Sequence, residues 1–275
     1  MLPKPASTVL ILRSTTENPA VEDYEILLMQ RHSKSPFMGG AYVFPGGKVE
    51  SCDQALGQDL SLEHGLDPVV SGYAVAACRE CFEEAGVLLA EQKPENWRHW
   101  RQDVQESPEN FAPTLRAHGL NLRLHDIFLW AHWITPSFEG RRYDTRFFIT
   151  EVDRQEEAEI DEIETTKSVW LSPSAALQAN RDGHILLMPP TVHLLDELRQ
   201  FPSRKKLLST AKKRKVAAVL PRINQIAGRM AIILPWDPLY ALSQGESLDF
   251  DSANPLAQTP SRIVLYEHLW KAESP

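Results

Sequence analysis

Three glutamates lie close together near the end of a predicted helix. Apolar residues recur at helical spacing over residues 72–85, and Gly86 follows at a position where glycine commonly ends a helix. At about 100° per residue, Glu80, Glu83 and Glu84 share the face opposite the apolar stripe. Like charges at this spacing repel one another and crowd the negative end of the helix dipole. Because Mg²⁺ and Mn²⁺ prefer clustered carboxylate oxygens, the pattern favours a divalent-cation site over a solvated acidic face.

A strand that ends in two glycines precedes this helix. Residues 42–44 form a short apolar run, and Pro45, Gly46 and Gly47 end it. Glycine lets the backbone approach a ligand closely, although such a turn alone is weak evidence for a site. Together with the acidic helix, the turn becomes specific evidence for ligand binding.

The cysteines are too few for a structural zinc site. Cys78 and Cys81 form a CxxC pair inside the predicted helix, and Cys52 is the third and last cysteine. Zinc would need four ligands, so we expect the pair to be small packing residues. The odd count fits a reducing compartment. The first twelve residues do not read as a signal peptide and the last three are not a peroxisomal tripeptide, so we expect a cytoplasmic protein.

The elements that must position these residues alternate between strand and helix. Strands are predicted at residues 8–12, 25–31, 42–44, 127–134, 145–149, 169–171, 228–234 and 262–270. Helices are predicted at residues 72–85, within 94–119, at 172–180 and throughout 190–220. The mixture indicates an α/β or α+β protein.

The overall composition is that of a folded globular protein. The chain has 275 residues, 43% hydrophobic and 24% charged, which excludes disorder throughout. No stretch reaches the roughly 20 apolar residues of a membrane span. The net charge of −8 argues against non-specific nucleic-acid binding, because a phosphate backbone needs a basic surface.

The acidic helix and the glycine turn together resemble the Nudix box. Residues 79–87 read RECFEEAGV and are similar to its second half, REUxEExGU, where U is apolar. Gly47 and Asp53 match the first glycine and the first glutamate of the box. Arg79 follows Asp53 by 26 residues instead of 8, so 26 − 8 = 18 extra residues interrupt the box. The interrupted box resembles the subgroup that contains the peroxisomal coenzyme A diphosphatase of mammals.

The resemblance implies the fold and the domain organisation. It implies an α/β protein with the Nudix-type α/β/α sandwich, a mixed central sheet, a box insertion and a C-terminal helical extension. We expect one elaborated domain over residues 1–275, with a core at about 5–185 and the extension at about 186–275. The insertion is either a lid over the site or a mobile surface loop at residues 51–71.

The resemblance also implies roles for individual residues. The catalytic residues would be Glu80, Glu84, Arg79 and Glu164, with Glu80 either a metal ligand or the general base. The ligands of Mg²⁺ or Mn²⁺ would be Glu80, Glu83, Glu84 and the Gly47 carbonyl. The substrate-binding residues would be Arg31, Arg142, Arg146, Phe44 and Gly46. On a strand, Arg142 and Arg146 share a face, whereas Arg141 points away.

The resemblance implies a small nucleotide derivative as the substrate. Coenzyme A or an acyl-coenzyme A is the first expectation, although Pro36 stands where the coenzyme A signature of other members has an arginine. The alternatives are a dinucleotide such as NADH, ADP-ribose or capped RNA, and a Nudix-fold nucleotide-binding regulator without catalysis. A membrane or nucleic-acid partner is not expected, whereas a homodimer is.

Overall fold

The computed structural model describes the chain at residues 2–15, 22–35, 38–64, 66–92, 97–161, 164–251 and 254–275. Pro36 and the first residues of the helical segment expected at 94–119 lie outside these ranges. No helix in the described ranges combines the length and the apolar character needed to cross a membrane.

The centre of the fold is a mixed sheet of eight strands. The strands are β1 (Lys4–Ser14), β2 (Tyr24–Arg31), β3 (Tyr42–Val43), β4 (Gly46–Lys48), β5 (Phe128–Ile134), β6 (Tyr143–Glu151), β7 (Thr165–Leu171) and β8 (Ala218–Val219). Six strands follow the order β3-β2-β1-β6-β5-β8, while β4 pairs with β1 and β7 pairs with β2. The pairs β1–β6 and β5–β8 are parallel, and the other pairs are antiparallel.

Helices and a second sheet cover the two faces of the central sheet. The helices are α1 (Ser51–His64), α2 (Pro68–Ala85), α3 (Trp100–Glu106), α4 (Phe111–Ala117), α5 (Pro173–Arg181), α6 (Pro189–Leu198) and α7 (Arg204–Ala211). The second sheet is an antiparallel run of β9 (Arg222–Ile226), β10 (Arg229–Ile233), β11 (Arg262–Tyr266) and β12 (Leu269–Glu273).

The alternation of side chains along β1 explains the layered architecture. Val9 and Ile11 pack in a core with residues of α1 to α4. Leu10 and Leu12 point to the opposite face and pack in a second core with residues of α5, α6, α7 and the second sheet. All four are fully buried, so both faces of the central sheet are covered. The result is the expected α/β/α arrangement with a mixed sheet.

The box insertion folds as a helix that pairs with α2, so the expectation of a surface loop at residues 51–71 is wrong. Helix α1 crosses α2 where Gly57 meets Gly72. A Cβ atom on Gly57 would collide with the Cα and backbone nitrogen of Gly72. The two glycines therefore allow the helix backbones to approach closely, and the insertion becomes part of the core.

The C-terminal region differs from the helical extension that the sequence predicts. Helices α6 and α7 are present, but the helical expectation for residues 190–220 is wrong at 199–203, between the two helices, and beyond Ala211, where β8 follows. The strand expected at residues 262–270 is a hairpin, because Glu267, with a positive φ of 56°, turns the chain between β11 and β12. The extension is thus two helices followed by a four-stranded sheet.

Candidate active site

The acidic end of α2 is well defined by local signals in the sequence. Asp67 caps the start of the helix, since its side chain accepts a hydrogen bond of 3.0 Å from the Val70 amide, and Pro68 follows. Gly86 ends the helix with a φ of 64°, and its amide donates to the Phe82 carbonyl. The last turns therefore hold their three glutamates on a fixed helical frame.

Arg79 is buried among carboxylates. Its guanidinium is 2% exposed and donates to both oxygens of Asp53, at 2.8 and 2.9 Å. Its Nη1 donates to Glu80 at 3.0 Å and to Glu83 at 2.9 Å. Its Nη2 also donates to the Lys48 carbonyl at 2.9 Å. All five N–H donors of the guanidinium are thereby used, so Arg79 joins α1, α2 and β4.

The glycine turn lies directly against the glutamates. The Gly46 amide donates to Glu84 Oε2 at 3.0 Å. A Cβ atom on Gly47 would come within 2.5 Å of the Glu80 carboxylate. A larger residue at position 47 would displace that carboxylate, which is the physical reason for a glycine there.

Glu80 and Glu84 have too little positive charge nearby to offset the cost of burying their carboxylates. Burial raises the pKa of Glu80 to about 8, with a smaller contribution from Glu83, although Arg79 opposes the shift. Burial, followed by the charge of Glu80, also raises the pKa of Glu84 well above its ordinary value. Glu84 is 4% exposed and accepts one backbone hydrogen bond. A cation at this place would remove the cost of ionising both groups.

The donor set therefore fits a divalent cation, although the side chains do not form a finished metal site. Within the described ranges, no three His, Cys, Asp or Glu side chains already converge as ligands that could hold a metal ion. Glu80 and Glu83 instead accept hydrogen bonds from Arg79. The fit rests on chemistry, because oxygen donors with a deficit of positive charge are what Mg²⁺ and Mn²⁺ select.

Three further predicted residues lie at the same place. Arg31, at the end of β2, and Glu164, just before β7, line the cavity that Glu80 and Glu83 also line, as does Phe44. The two segments are tied together because the His32 amide donates to the Glu164 carbonyl at 2.8 Å. The Glu164 charge contributes to the raised pKa values of Glu80 and Glu84. Arg31 Nε is buried and has no hydrogen-bond partner among the described residues, which leaves a cationic donor for a ligand.

The cavity is large, with a volume of about 1080 Å³. Small-molecule pockets span about 300–1,000 Å³, so this one has room for far more than a diphosphate. One end contains Glu80, Glu83, Arg79 and the glycines of β4, and the cavity continues to the second sheet. A cavity with a polar end at the glutamates and a long extension to the second sheet suits a large substrate.

The match to a known family decides what this arrangement is. A sequence model of the family described as the NUDT19 Nudix domain matches residues 58–198, which is 141 of the 275 residues. The chain belongs to this Nudix family. It is therefore a hydrolase that acts on diphosphate bonds, and Nudix hydrolases generally use a divalent metal ion.

Curated relatives and one solved structure agree with the family. The chain is 28% identical to a Xenopus laevis protein named acyl-coenzyme A diphosphatase NUDT19, over 79% of this chain and 72% of the relative. It is 27% identical to the human protein of the same name, over 81% and 74% of the two chains. A Nudix hydrolase crystal structure from Alicyclobacillus acidocaldarius superposes with a TM-score of 0.66 at 24% identity, covering 76% and 97% of the two chains. That structure supports the Nudix fold.

Two arginines predicted to bind substrate lie outside the Nudix cavity, so these two predictions are corrected. Arg142 and Arg146 are not among the described residues that line it, whereas Arg141 is. Arg142 donates to the Thr135 carbonyl and pairs with Glu246. Arg146 pairs with Asp144 and lies over the ring of Tyr73 on α2, 4.1 Å from its centroid. The period of two applies to Arg146 on β6, whereas Arg142 precedes the strand and is held instead by its own partners.

A further arginine, which the sequence patterns did not single out, donates hydrogen bonds to the last turn of α2. Arg101, on α3, donates from Nε to the Glu83 carbonyl at 2.9 Å and from Nη2 to the Glu84 carbonyl at 2.7 Å. These carbonyls belong to the last turn of α2, where helical partners are missing. Helix α3 therefore supplies hydrogen-bond donors for the free carbonyls at the end of α2, the helix that carries the glutamates. An arginine in a separate helix gives no local signal for this contact.

The CxxC pair has the packing role expected. Cys78 and Cys81 are both fully buried, and both belong to the core between α2 and the sheet. Burial raises the pKa of the Cys78 thiol, which keeps it protonated and unreactive.

Proposed function

We propose that this Nudix hydrolase is a metal-dependent diphosphatase that cleaves the diphosphate bond of coenzyme A or an acyl-coenzyme A. The observation that carries the proposal is the pair of carboxylates with raised pKa values, Glu80 and Glu84, which are held against the β4 glycines where Glu80 lines one end of a large cavity. The names of the frog and human relatives supply the substrate class.

The proposed metal ligands are Glu80, Glu83, Glu84 and the Gly47 carbonyl. When bound, Mg²⁺ or Mn²⁺ would neutralise phosphate charge and lower the pKa of a water molecule. Arg79 orients the carboxylates of Glu80 and Glu83, and Asp53 in turn fixes the guanidinium. Glu80 and Glu164 are the two candidate general bases.

Substrate phosphates would meet Arg31 at the same end of the cavity. Its Nη2 donates to the Ser35 hydroxyl at 3.2 Å, while the buried Nε lacks a partner in the described part of the chain. A phosphate oxygen would supply the missing acceptor, and guanidinium groups bind phosphate through such charge-assisted hydrogen bonds. Phe44 and Gly46 would line the path of the same substrate.

The substrate is tested with a panel of diphosphates. The purified protein is incubated with Mg²⁺ or Mn²⁺ and coenzyme A, octanoyl-coenzyme A, NADH, ADP-ribose or capped RNA, and products are separated by chromatography. We expect the highest kcat/KM for the coenzyme A compounds, with 3′,5′-ADP and a phosphopantetheine as products. A clear preference for NADH, ADP-ribose or capped RNA would overturn the substrate, and hydrolysis of none of them would favour a nucleotide-binding regulator.

The metal assignment is tested with Glu84→Gln. The variant keeps the size of the side chain but loses the charge, so we expect kcat to fall by at least about 100-fold, as when a transition-state electrostatic contact is lost. Glu157→Gln is the matched control, because Glu157 is exposed at 72% and is not among the described residues that line the cavity. If Glu84→Gln hydrolyses the best substrate at the wild-type rate, the assignment is wrong.

A single domain, a homodimer and a cytoplasmic location stay predictions. Light scattering after size-exclusion chromatography would measure the oligomeric state, and a single unfolding transition in urea would support one domain.

A further inference from the structure

The cavity extends across the central sheet, away from the glutamates. The paired residues Lys48, Ala6, Thr145 and Trp133 lie side by side on β4, β1, β6 and β5, and all four line the cavity. Adjacent strands lie about 4.8 Å apart, so three steps place Trp133 about 14 Å from Lys48 along the floor of the cavity. The far end is therefore well separated from the carboxylates.

The second sheet forms the opposite wall at this far end. Met230 and Ile232 are two residues apart on β10 and share a face, and both line the cavity. Trp270 of β12 lines it as well, and it packs in the same core cluster as Ile232.

The far end is largely apolar, in contrast to the reactive end. Its apolar lining residues are Trp133, Ile134, Phe138, Phe147, Met230, Ile232 and Trp270, and the uncharged polar residues Thr135 and Tyr143 lie among them. The charged groups there, Glu139 and Arg141, belong to the exposed turn between β5 and β6. Phe138 and Met230 both line the cavity and are 43% and 45% exposed, although large apolar side chains are normally withdrawn from water. An apolar ligand would cover both.

We propose that the apolar end binds the acyl chain of a thioester substrate, and that the second sheet makes the enzyme selective for acylated coenzyme A. The inference rests on the proposed function, since it states where the acyl end of that function's substrate binds. A ligand that fills both ends must carry an apolar group on a long linker, because about 14 Å separates them. The base of a nucleoside lies only one ribose away from the phosphate, whereas the acyl group of an acyl-coenzyme A is carried on the pantetheine arm.

The experiment compares octanoyl-coenzyme A with coenzyme A in wild type and in two single variants. Met230→Glu places a charge on the apolar wall, and Leu242→Glu is the control. Leu242 is 79% exposed, lies in the same C-terminal region and is not among the described residues that line the cavity. Both sites are open to water, so both variants are expected to fold.

The expected result is a change in the ratio of the two kcat/KM values. Wild type should prefer octanoyl-coenzyme A by at least about tenfold, because burying two methylene groups already stabilises by about that factor. Met230→Glu should reduce this preference about tenfold, mainly through KM for the acylated substrate, and should leave coenzyme A hydrolysis within about twofold. Leu242→Glu should change neither substrate. Phe138→Glu, at the other exposed apolar residue of the lining, should behave like Met230→Glu.

Failure of the inference is distinguishable from failure of the proposed function. If wild type cleaves both compounds at equal kcat/KM, or Met230→Glu slows both equally, the acyl site is wrong while the function stands. If neither compound is cleaved, the proposed function fails. Calorimetric binding in EDTA then tests the acyl site directly, and equal Kd values for coenzyme A and octanoyl-coenzyme A, or no binding of either, would overturn it.

Discussion

Asp53→Asn is the sharpest test of the network that holds the glutamates. Asp53 is 1% exposed and accepts two hydrogen bonds from the buried Arg79. Removing one partner of a buried ion pair costs about 3–5 kcal/mol, because the other charge stays buried. Glu80 and Glu83 still contact Arg79 Nη1 and offset part of this cost. We therefore expect a loss of about 3 kcal/mol in the free energy of unfolding, at the lower end of that range.

The loss is measured by urea denaturation and by thermal unfolding. In a protein of this size about 1 kcal/mol moves Tm by about 2–4 °C, so 3 kcal/mol corresponds to about 6–12 °C. We also expect kcat to fall, because the guanidinium that orients Glu80 and Glu83 loses its fixed partner. Asp53→Glu restores the charge and should recover part of the activity.

Asp59→Asn is the matched control on the same helix. Asp59 faces water and pairs with exposed Arg116 at 3.6 Å, so the change should cost less than about 1 kcal/mol. The reasoning would be refuted if Asp53→Asn unfolded at the wild-type urea concentration with wild-type kcat. It would be refuted equally if Asp59→Asn were as damaging as Asp53→Asn.

Two further predictions concern the helix pair and a buried histidine. Gly57→Ala should destabilise the protein by about 1–3 kcal/mol, because the new methyl group collides with Gly72. Gly140→Ala is the control and should change stability in urea little, because a Cβ there meets no atom within 4 Å among the described residues. Equal effects of the two substitutions would contradict the reasoning. Burial, followed by the charge of Arg214, lowers the pKa of His193 to about 3 from its ordinary 6.5. The unfolded chain thus takes up a proton that the folded protein refuses, so stability falls as pH drops from about 6.5 towards 3. The fall in urea midpoint between pH 7 and pH 5 should be smaller in His193→Phe than in wild type, and an equal fall would contradict the assignment.

The residues on α2 could be predicted from sequence because their signals are local. Helical spacing placed Glu80, Glu83 and Glu84 on one side, and Gly86 marked the end of the helix. That side was expected to oppose the core, and it does, but β4 covers it and buries Glu84. The covering depends on strand pairing across the sheet, which periodicity along one helix does not report.

Other features depend on tertiary contacts and could not be predicted. The insertion becomes helix α1 because it packs against α2 at Gly57, whereas its own residues have weak helical amphipathicity. Strand β9 contains the polar residues Arg222, Asn224 and Gln225 and lacks an apolar strand pattern. It forms because β10 pairs with it along all five residues. The strand at residues 228–234 was predicted and is β10, but its place along the cavity depends on tertiary contacts and was missed.

The pairing of α1 with α2 has a consequence for how such enzymes are found and altered. Asp53 reaches Arg79 through the contact of two helices, so the number of residues between them is free to vary without moving the reacting groups. A sequence pattern with fixed spacing detects the number of residues between Asp53 and Arg79. The chemistry depends instead on the contact between these two residues in the folded protein. The connection between the two helices is accordingly a place where a sensor or a tag could be inserted into the middle of the motif while the hydrolase stays intact.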